Sequence, residues 1–555
     1  MKNKLNILVL SAAAIALSSC ASSFLDRDPQ GNTILQNQYE QLDNTVEGSV
    51  RGIYSLLYEF SDHDQFGKRS IDLYTDLLSG DMALTSYSYG WFYSDEQGMT
   101  STDRTGYIWS QYYLMLRNIN KTVALVKTQS DIVARVAEHG LPQDGSLKQN
   151  KDDDDFTYTA EDGETVTLTQ NEVDVLGYYA QLMALRGYLY ANLAQLYFPT
   201  PKQMGESASE IKFVPIYTED NFDSPQPLAT CVEVSTQAHS DLETAIAYFD
   251  AFDEYLMRET KLRIDGSVAR GILAYSYLNS ANSDRIDSEA NKNAYTRAAQ
   301  LADEVITSGQ YQLLQSRELL TTGFNDLSHS SWMWGQDVTV ETASGLGSWF
   351  GQVDIHSYSY AWAGDTKVID EILYKDVIVG KYPWDNRVNW FRSKEDKNFP
   401  LCPDGKFFSA KCPTSTKQDD IDREWLSDNV FMRIEAMYLI AAEAQYRLGN
   451  DALAINYLTA ITDERVKPND AEATAAYDSF KSGLNHSNLL DAIYDNWRIE
   501  MWGEGYALQT FRRLGVEKTR GGNHASDAGS KVQPTDPKYT FQIPSSESTY
   551  NPTVE

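Results

Sequence analysis

The stretch 182–196 constrains the fold more than any other part of the chain. Leu182, Leu185, Leu189, Leu193 and Leu196 recur at three- and four-residue spacing, with Ala184, Gly187, Ala191 and Ala194 between them. That spacing lays the leucines along one side of a helix, where side chains three and four apart are neighbours. The small residues let a second helix backbone approach closely, as stacked helical hairpins require.

The same period recurs elsewhere. Tyr39, Leu42, Val46, Val50, Ile53 and Leu57 form one stripe, and Trp109, Tyr112, Tyr113, Leu116, Asn120 and Val123 another. Further amphipathic helices are predicted near 235–250, over 266–280 and over 294–308, the last stopped by Gly309 as its C-cap. Others are predicted over 430–448, 451–466 and 488–503. Paired helices with alanine at the crossings resemble tetratricopeptide units, although the strict consensus is absent. The other reading is an irregular helical domain.

Two parts break the helical pattern. Residues 156–159 and 164–168 flank Asp162-Gly163, which predicts a small hairpin with a tight turn within 150–170. The acidic run Asp152–Asp155 before it reads as a solvated loop. Its hard oxygen ligands would also suit a structural calcium ion, though without EF-hand spacing. The longer break, 322–425, is rich in Gly, Ser, Trp and Tyr and reads as an irregular subdomain of the kind that carries binding residues on a rigid scaffold. Within it Trp332 and Trp334 alternate as in a short buried strand. The chain thus divides into 1–19, 20–38, a helical part over 39–321, the irregular part over 322–425, and a C-terminal helical part with its tail over 426–555.

The first segment reads as an export signal. Lys2 and Lys4 precede an apolar run from Ile7 to Leu17, which Leu17-Ser18-Ser19-Cys20 closes. The run is too short to span a bilayer, which takes about 20 residues. A small-residue site ending on cysteine, with leucine three positions earlier, is what lipoprotein signal peptidase recognises, so Cys20 is the expected acylation site. Several acyl chains on one residue anchor a soluble domain stably. An ordinary secretory signal with an incidental cysteine is the alternative. Residues 20–38 would then be a tether.

Removing residues 1–19 takes away two lysines and moves the net charge from −32 to −34. Such a surface repels nucleic acid and anionic headgroups and argues against both as partners. The remaining cysteines, Cys231, Cys402 and Cys412, lack paired metal-site spacing. Cys402 and Cys412 bracket a loop where a disulfide or two free thiols fit equally. The histidines are scattered singly, so a catalytic metal has no visible ligand set, and no cofactor is expected. Aromatics are the unusual feature, 35 Tyr, 11 Trp and 20 Phe. Tyrosine in excess of phenylalanine matters because it tolerates water at one end, and exposed Tyr and Trp stack on the apolar faces of sugar rings.

Several ordered motifs now carry a resemblance. Phe24-Leu25-Asp26 and Pro29 follow Cys20; Trp109–Tyr113 precedes Asn118–Asn120; Ala184–Tyr188 precedes Leu196–Pro199. Later come Arg433–Ala444, then Arg498–Tyr506 through Phe511–Gly515, and Phe541–Pro544 with Glu547 and Asn551-Pro552. In this order over nearly the whole chain, they resemble the SusD/RagB family of outer-membrane nutrient-binding lipoproteins. The departures are Gly505-Tyr506-Ala507, where the family often has Gly-x-Arg, and a tail that stops soon after Pro552. The resemblance implies a mostly α fold, about four tetratricopeptide-like helix pairs supporting a loop-rich part. It implies an outer-membrane, cell-surface, lipid-anchored protein that captures oligosaccharide and covers a TonB-dependent barrel as its lid. No bond is made or broken in that role, so no enzyme activity is expected.

Two regions are the glycan-binding candidates. Trp91 and Tyr93 lie in the crowded run Tyr87–Tyr93, and Trp349, Tyr358, Tyr360 and Trp362 lie in a Gly/Ser-rich stretch with Asp354 and His356 between. Family members tend to place binding aromatics in these regions, without residue-by-residue correspondence. The competing reading is that the rings pack loops onto helices. Arg498, Glu500 and Glu504 read as a structural ion-pair network, although glutamates at i, i+4 can also mimic an acid/base pair. Two other functions compete with glycan capture: the same transport role for peptides, and a surface glycoside hydrolase, which needs two carboxylates roughly 5–9 Å apart in a groove.

Overall fold

The computed structural model describes residues 45–89, 91–92, 102–143, 146–150, 155–252, 261–281, 288–321, 323–339, 342–407 and 427–553. Cys20 with its signal and tether, Tyr39, Leu42, Tyr93, Asp152–Asp154 and Cys412 lie outside them. The fold is mostly helical, as expected. Helices α1 (Thr45–Ser55), α2 (Lys68–Ser79), α3 (Thr102–Gln129) and α4 (Ile132–His139) lead to the long α5 (Gln170–Tyr197). The series continues with α6 (Cys231–Phe252), α7 (Gly266–Ser280) and α8 (Glu289–Thr307), then α9 (Ile434–Arg447) and α10 (Asp451–Asp463). It ends with α11 (Ala471–Gly483), α12 (His486–Glu500) and α13 (Ala507–Leu514).

Helix α5 is the axis of the N-terminal part. Thr169 starts it with a capping box, its Oγ1 accepting the Glu172 N–H at 3.3 Å while Glu172 accepts the Thr169 N–H at 2.8 Å. From Leu182 to Leu193 almost every side chain is buried, because α3 and α6 cover opposite sides. Helix α6 runs antiparallel to it, with Cys231 beside Ala194, Asp241 beside Arg186 and Tyr248 beside Tyr179. Gly187 explains the close crossing: a Cβ there would come within 2.6 Å of the Leu242 side chain and 2.8 Å of the Ala238 carbonyl oxygen. Beside this crossing Arg186 forms a bidentate pair with Asp241 at 2.8 and 2.7 Å and reaches Asn120 Oδ1 at 2.9 Å. From there each helix packs on the next, α7 on α6, α8 on α7, α9 on α8 and α10 on α9.

The predicted boundaries need few changes. The helix expected over 266–280 has those limits, and α8 starts earlier than 294, on the Ser288 N-cap. Gly309, beyond its end, takes the left-handed conformation at φ +70°. The 430–448 prediction is wrong at its start. Asn429–Arg433 is a strand buried at every position and paired antiparallel with Trp332–Gln336. A strand buried on both faces shows no alternation and reads like helix. Helix α2 was not foreseen, because buried polar residues such as Asp72, Thr75 and Asp76 interrupt its apolar pattern.

Short strands stitch the irregular part to the rest. β1 (Met82–Leu84) pairs with β8 (Lys367–Ile369), and β7 (Trp332–Gln336) with β9 (Asn429–Arg433). The expected hairpin is present as β3 (Asp155–Thr159) and β4 (Thr165–Thr169), with β2 (Lys148–Asn150) added at its edge. Two further pairs are β5 (Lys212–Pro215) with β6 (Leu228–Thr230) and β10 (Lys518–Thr519) with β11 (Lys531–Val532). Asp155 belongs to β3, opposite Thr169.

Four cations, Arg387, Lys406, Arg433 and Arg465, meet four carboxylates, Asp385, Glu435, Glu500 and Glu504, all of them buried. Glu500 alone accepts from Arg433 at 2.7 Å, Arg465 at 2.8 and 2.9 Å, and Arg387 at 2.9 Å. Glu504 accepts from Arg433 at 2.9 Å and Lys406 at 2.6 Å. Burial alone would raise Glu500, but Arg465 and Arg433 hold it well below the usual carboxylate range. The network is structural, as expected, with one change of partner: Arg498 pairs instead with Asp81 on the far side of α12, at 2.7 Å.

Two outcomes follow from this packing. Glu500→Gln strands buried guanidinium charge and should lower unfolding free energy by about 3–5 kcal/mol, while Gly187→Ala, which forces α5 from α6, should cost about 1–3 kcal/mol; urea denaturation measures both. Glu500 and Asp81 are depressed in the folded state, Asp81 to about 2 because Arg498 and Lys518 outweigh its burial. Their contribution is therefore complete above the unfolded carboxylate range and lost as pH falls through it, so the unfolding midpoint should drop steadily from about pH 5 to pH 2.

Candidate functional site

Three loops meet at one end of the β1/β8 ribbon. Leu84 lies opposite Lys367, so the loop 85–92 leaves β1 where the loop 354–366 enters β8. The Thr85 N–H extends the ladder by donating to the Thr366 carbonyl at 3.0 Å. The third loop, 58–66, follows α1. Gln352 fixes it from below, donating from Nε2 to the His63 carbonyl at 2.8 Å and accepting from Lys367 Nζ at 2.9 Å. Lys367 also meets Asp365 at 3.3 Å, and all three side chains are shut off from solvent. Burial raises the Asp365 carboxyl and the Lys367 charge opposes that rise.

Phe92 anchors the second loop. It is fully buried against Tyr74, with ring centres 5.0 Å apart, although its φ is +61°. A left-handed conformation costs a bulky residue about 1–2 kcal/mol, which the burial of its ring offsets. The turn also carries its neighbour Trp91 to the opposite side.

On this support the loops present a shelf of rings. His63, Trp91 and Tyr360 form a triangle of rings, His63 lying 5.4 Å from Trp91 and 5.6 Å from Tyr360, which are 6.4 Å apart. Tyr89 stands edge-on to Tyr360 at 5.1 Å, and Phe60 edge-on to His63 at 5.6 Å. Phe60 lies over Gly347, where any Cβ would strike its ring. Tyr358 and Trp362, on the same loop as Tyr360, face each other at 5.7 Å. Phe60, Tyr89, Tyr358 and Trp362 are 45%, 48%, 62% and 52% exposed, so several apolar faces remain in water. Asp62, Ser86 and Ser88 supply polar groups on the same loops, with the two serine hydroxyls 2.5 Å apart. His63 Nδ1 has no hydrogen-bond partner among the described residues. Burial lifts the Tyr360 hydroxyl above its ordinary range, so it stays protonated and able to donate.

The two sequence-predicted clusters therefore converge, but not all of their members do. Trp91 forms part of the floor, Tyr360 its largely buried edge, and Tyr358 and Trp362 are the exposed pair. Trp349 is a correction. It is 1% exposed, packed on Phe407 at 4.4 Å and covered by the Arg69 guanidinium at 4.7 Å, so no ligand can stack on it. Its place explains why: it opens the single turn Trp349–Val353, capped by Ser348, which docks on α2 with Trp349 beneath Arg69. Asp354 and His356 hold the loop itself, Asp354 accepting the His356 N–H at 2.7 Å and His356 Nε2 meeting Asp404 at 2.7 Å. Sequence reasoning missed Phe60 and His63. The available signal was a lone phenylalanine among Glu59, Ser61 and Asp62, just past the last member of the α1 stripe.

Catalytic alternatives find little here. Glu500 and Glu504, the pair that can mimic an acid and a base, are sealed in the ion network rather than facing a groove. Among the described residues no cluster of His, Cys, Asp and Glu could hold a metal. Cys402 is a buried free thiol pushed up to about 12 by its burial. No helix of the described residues is long and apolar enough to cross a membrane.

Comparison with known proteins gives the frame. Residues 356–554 match the SusD family model. A SusD-like carbohydrate binding protein from Bacteroides vulgatus is similar in structure at a TM-score of 0.64 and 20% identity, covering 92% of this chain and 96% of its own. A SusD superfamily protein from Bacteroides thetaiotaomicron has a TM-score of 0.65 at 19% identity, over 92% of this chain and 98% of its own. Another from Bacteroides fragilis has 0.61 at 17%, over 93% and 99%. No curated protein matches the sequence significantly. The C-terminal part of the chain thus matches the SusD family model, and the fold is shared along nearly the whole length with solved SusD superfamily proteins, in agreement with the ordered motifs.

Proposed function

We propose that this protein is a cell-surface, lipid-anchored receptor that captures glycan on the three-loop shelf and delivers it to a TonB-dependent outer-membrane barrel, over which it sits as a lid. It binds its ligand without making or breaking a bond. The observation that carries this reading is the exposure of Tyr89, Tyr358 and Trp362 beside Trp91 on loops pinned by the buried Gln352–Lys367 contact. Water-facing rings on a rigid support lose little entropy when they stack, and each ring that covers a sugar face contributes about 1 kcal/mol. Weak binding of that kind gains by repetition along a polymer. The carbohydrate-binding relative in Bacteroides vulgatus supports the ligand class. The anchoring rests on Cys20 and its preceding segment.

In affinity gel electrophoresis against a panel of polysaccharides, one polymer should retard the protein. Trp362→Ala or Trp91→Ala should each weaken that retardation by roughly 1–2 kcal/mol, while Trp349→Ala should lower thermal stability instead. Retardation by no polymer, with peptides binding in its place, would overturn the glycan reading and leave the rings as packing. Cys20→Ala should abolish incorporation of radiolabelled palmitate in cells and release the protein from the membrane fraction; unchanged labelling would refute the anchor.

A further inference from the structure

A second cavity lies outside the shelf, between α5, α6, α7, α8 and α13. It encloses about 510 Å³, within the range of small-ligand pockets, roughly 300–1,000 Å³. In a chain of net charge −32 its wall carries the opposite sign. Lys202, Arg297, Arg512 and Arg513 line it, and no described carboxylate does.

The charges are not equally spent. Arg513 is neutralised from behind by Glu443, at 2.6 and 2.9 Å. Arg512 has no such partner. Its guanidinium meets only neutral acceptors, the Gln195 and Phe198 carbonyls, Gln203 Oε1 at 3.2 Å, Thr540 Oγ1 at 3.3 Å and Gln509 Oε1 at 3.4 Å, and its Nε is buried without a partner. The carbonyl end of α5 offsets part of that charge. Burial draws Arg512 down to about 10, which leaves it charged at neutral pH. Arg297 at the rim is held only by long ion pairs, 3.9 Å from both Glu243 and Glu304.

The rest of the wall is uncharged and mixed. His239 is pushed down to about 4 by burial, so it is neutral, and its Nε2 lies 2.9 Å from Ser276 Oγ. Phe198, Pro199 and Tyr277 give apolar faces, and Ser276, Asn279 and Asn293 offer hydroxyl and amide groups. We propose that this cavity binds a small monoanionic molecule whose carboxylate sits in the field of Arg512 and Arg297 and whose hydroxylated ring lies against the apolar and amide wall, a free sugar acid being the class that fits. Arg513 and Arg297 already face carboxylates and Lys202 donates to the Gly515 carbonyl at 3.1 Å, which leaves Arg512 as the one guanidinium of the wall without a carboxylate partner and suits a single carboxylate better than a dianion.

Isothermal titration calorimetry of the protein with glucuronate, glucose and inorganic phosphate tests this. Glucuronate should saturate, with glucose and phosphate each at least about tenfold weaker. Arg297→Ala, and Val232→Glu at the mouth where Val232 is 61% exposed, should weaken glucuronate by about tenfold or more with unchanged thermal unfolding. Trp362→Ala should leave its affinity unchanged, which separates this site from the shelf. Absence of saturation, glucose binding as well as glucuronate, or indifference to both cavity variants overturns the proposal. Phosphate binding as well as glucuronate overturns the sugar-acid assignment, because the cavity would then read charge alone.

Discussion

The convergence of three arginines on Glu500 is the interaction on which the C-terminal half depends. Arg387 comes from the irregular part, Arg433 from the end of β9 and Arg465 from the segment after α10. Elements far apart in sequence therefore meet at one carboxylate on the last turn of α12. Each group is a severe liability alone, because desolvating a charge costs several kcal/mol and only near-ideal geometry recovers it. Four cations balanced by four carboxylates satisfy that condition only when every contributing segment is in place. Such a network adds little net stability over an apolar core, but it penalises any arrangement that leaves one member out.

That constraint reaches the shelf. Lys406 belongs to the same network and donates to the Trp502 carbonyl at 2.7 Å, while Phe407 beside it packs on Trp349. Trp349 opens the turn that holds Gln352, and Gln352 holds the His63 loop. Across the ribbon, Trp502 Nε1 donates to the Asp81 carbonyl at 3.0 Å, and Arg498 grips the Asp81 carboxylate just before β1. Two of the three loops of the shelf are thus tied to the α12 region through buried polar and aromatic contacts. Trp349 serves the site by its burial, which is why a tryptophan in a loop-rich stretch looked like a binding ring.

How much of this was legible in the sequence follows from which forces leave a local pattern. Helices with an apolar stripe and small residues at the crossings, α5 and α7 above all, were readable because their period survives burial. Strand β9 and helix α2 were not, since one is buried on both faces and the other carries buried polar residues, among them Asp76, which accepts from the distant Gly505 and Ala507 N–H groups at 3.3 Å. The shelf was half legible. Clustered aromatics pointed to two loops, but exposure is decided by tertiary contacts, and nothing local separates Trp349 from Trp362. Phe60 and His63 left only a weak local signal, because most of their neighbours on the shelf come from distant loops.

Charge placement draws these features together. The chain is strongly acidic as a whole, yet many of its described arginines are buried, and all of these but Arg512 and Arg520 have a carboxylate within hydrogen-bond reach. Arg186 has Asp241, Arg498 has Asp81, and Arg433 and Arg465 share Glu500. This pairing is what burial demands, since a guanidinium cannot shed its proton to escape the cost. A buried guanidinium left with neutral acceptors is therefore informative in proportion to how consistently the others are paired. The aromatic shelf departs from the opposite rule, leaving apolar rings in water where a folded surface would cover them. In both places an unfavourable arrangement is maintained by well-satisfied surroundings, and the complementary ligand follows from what each site lacks: an apolar face at the shelf, an anion at the cavity.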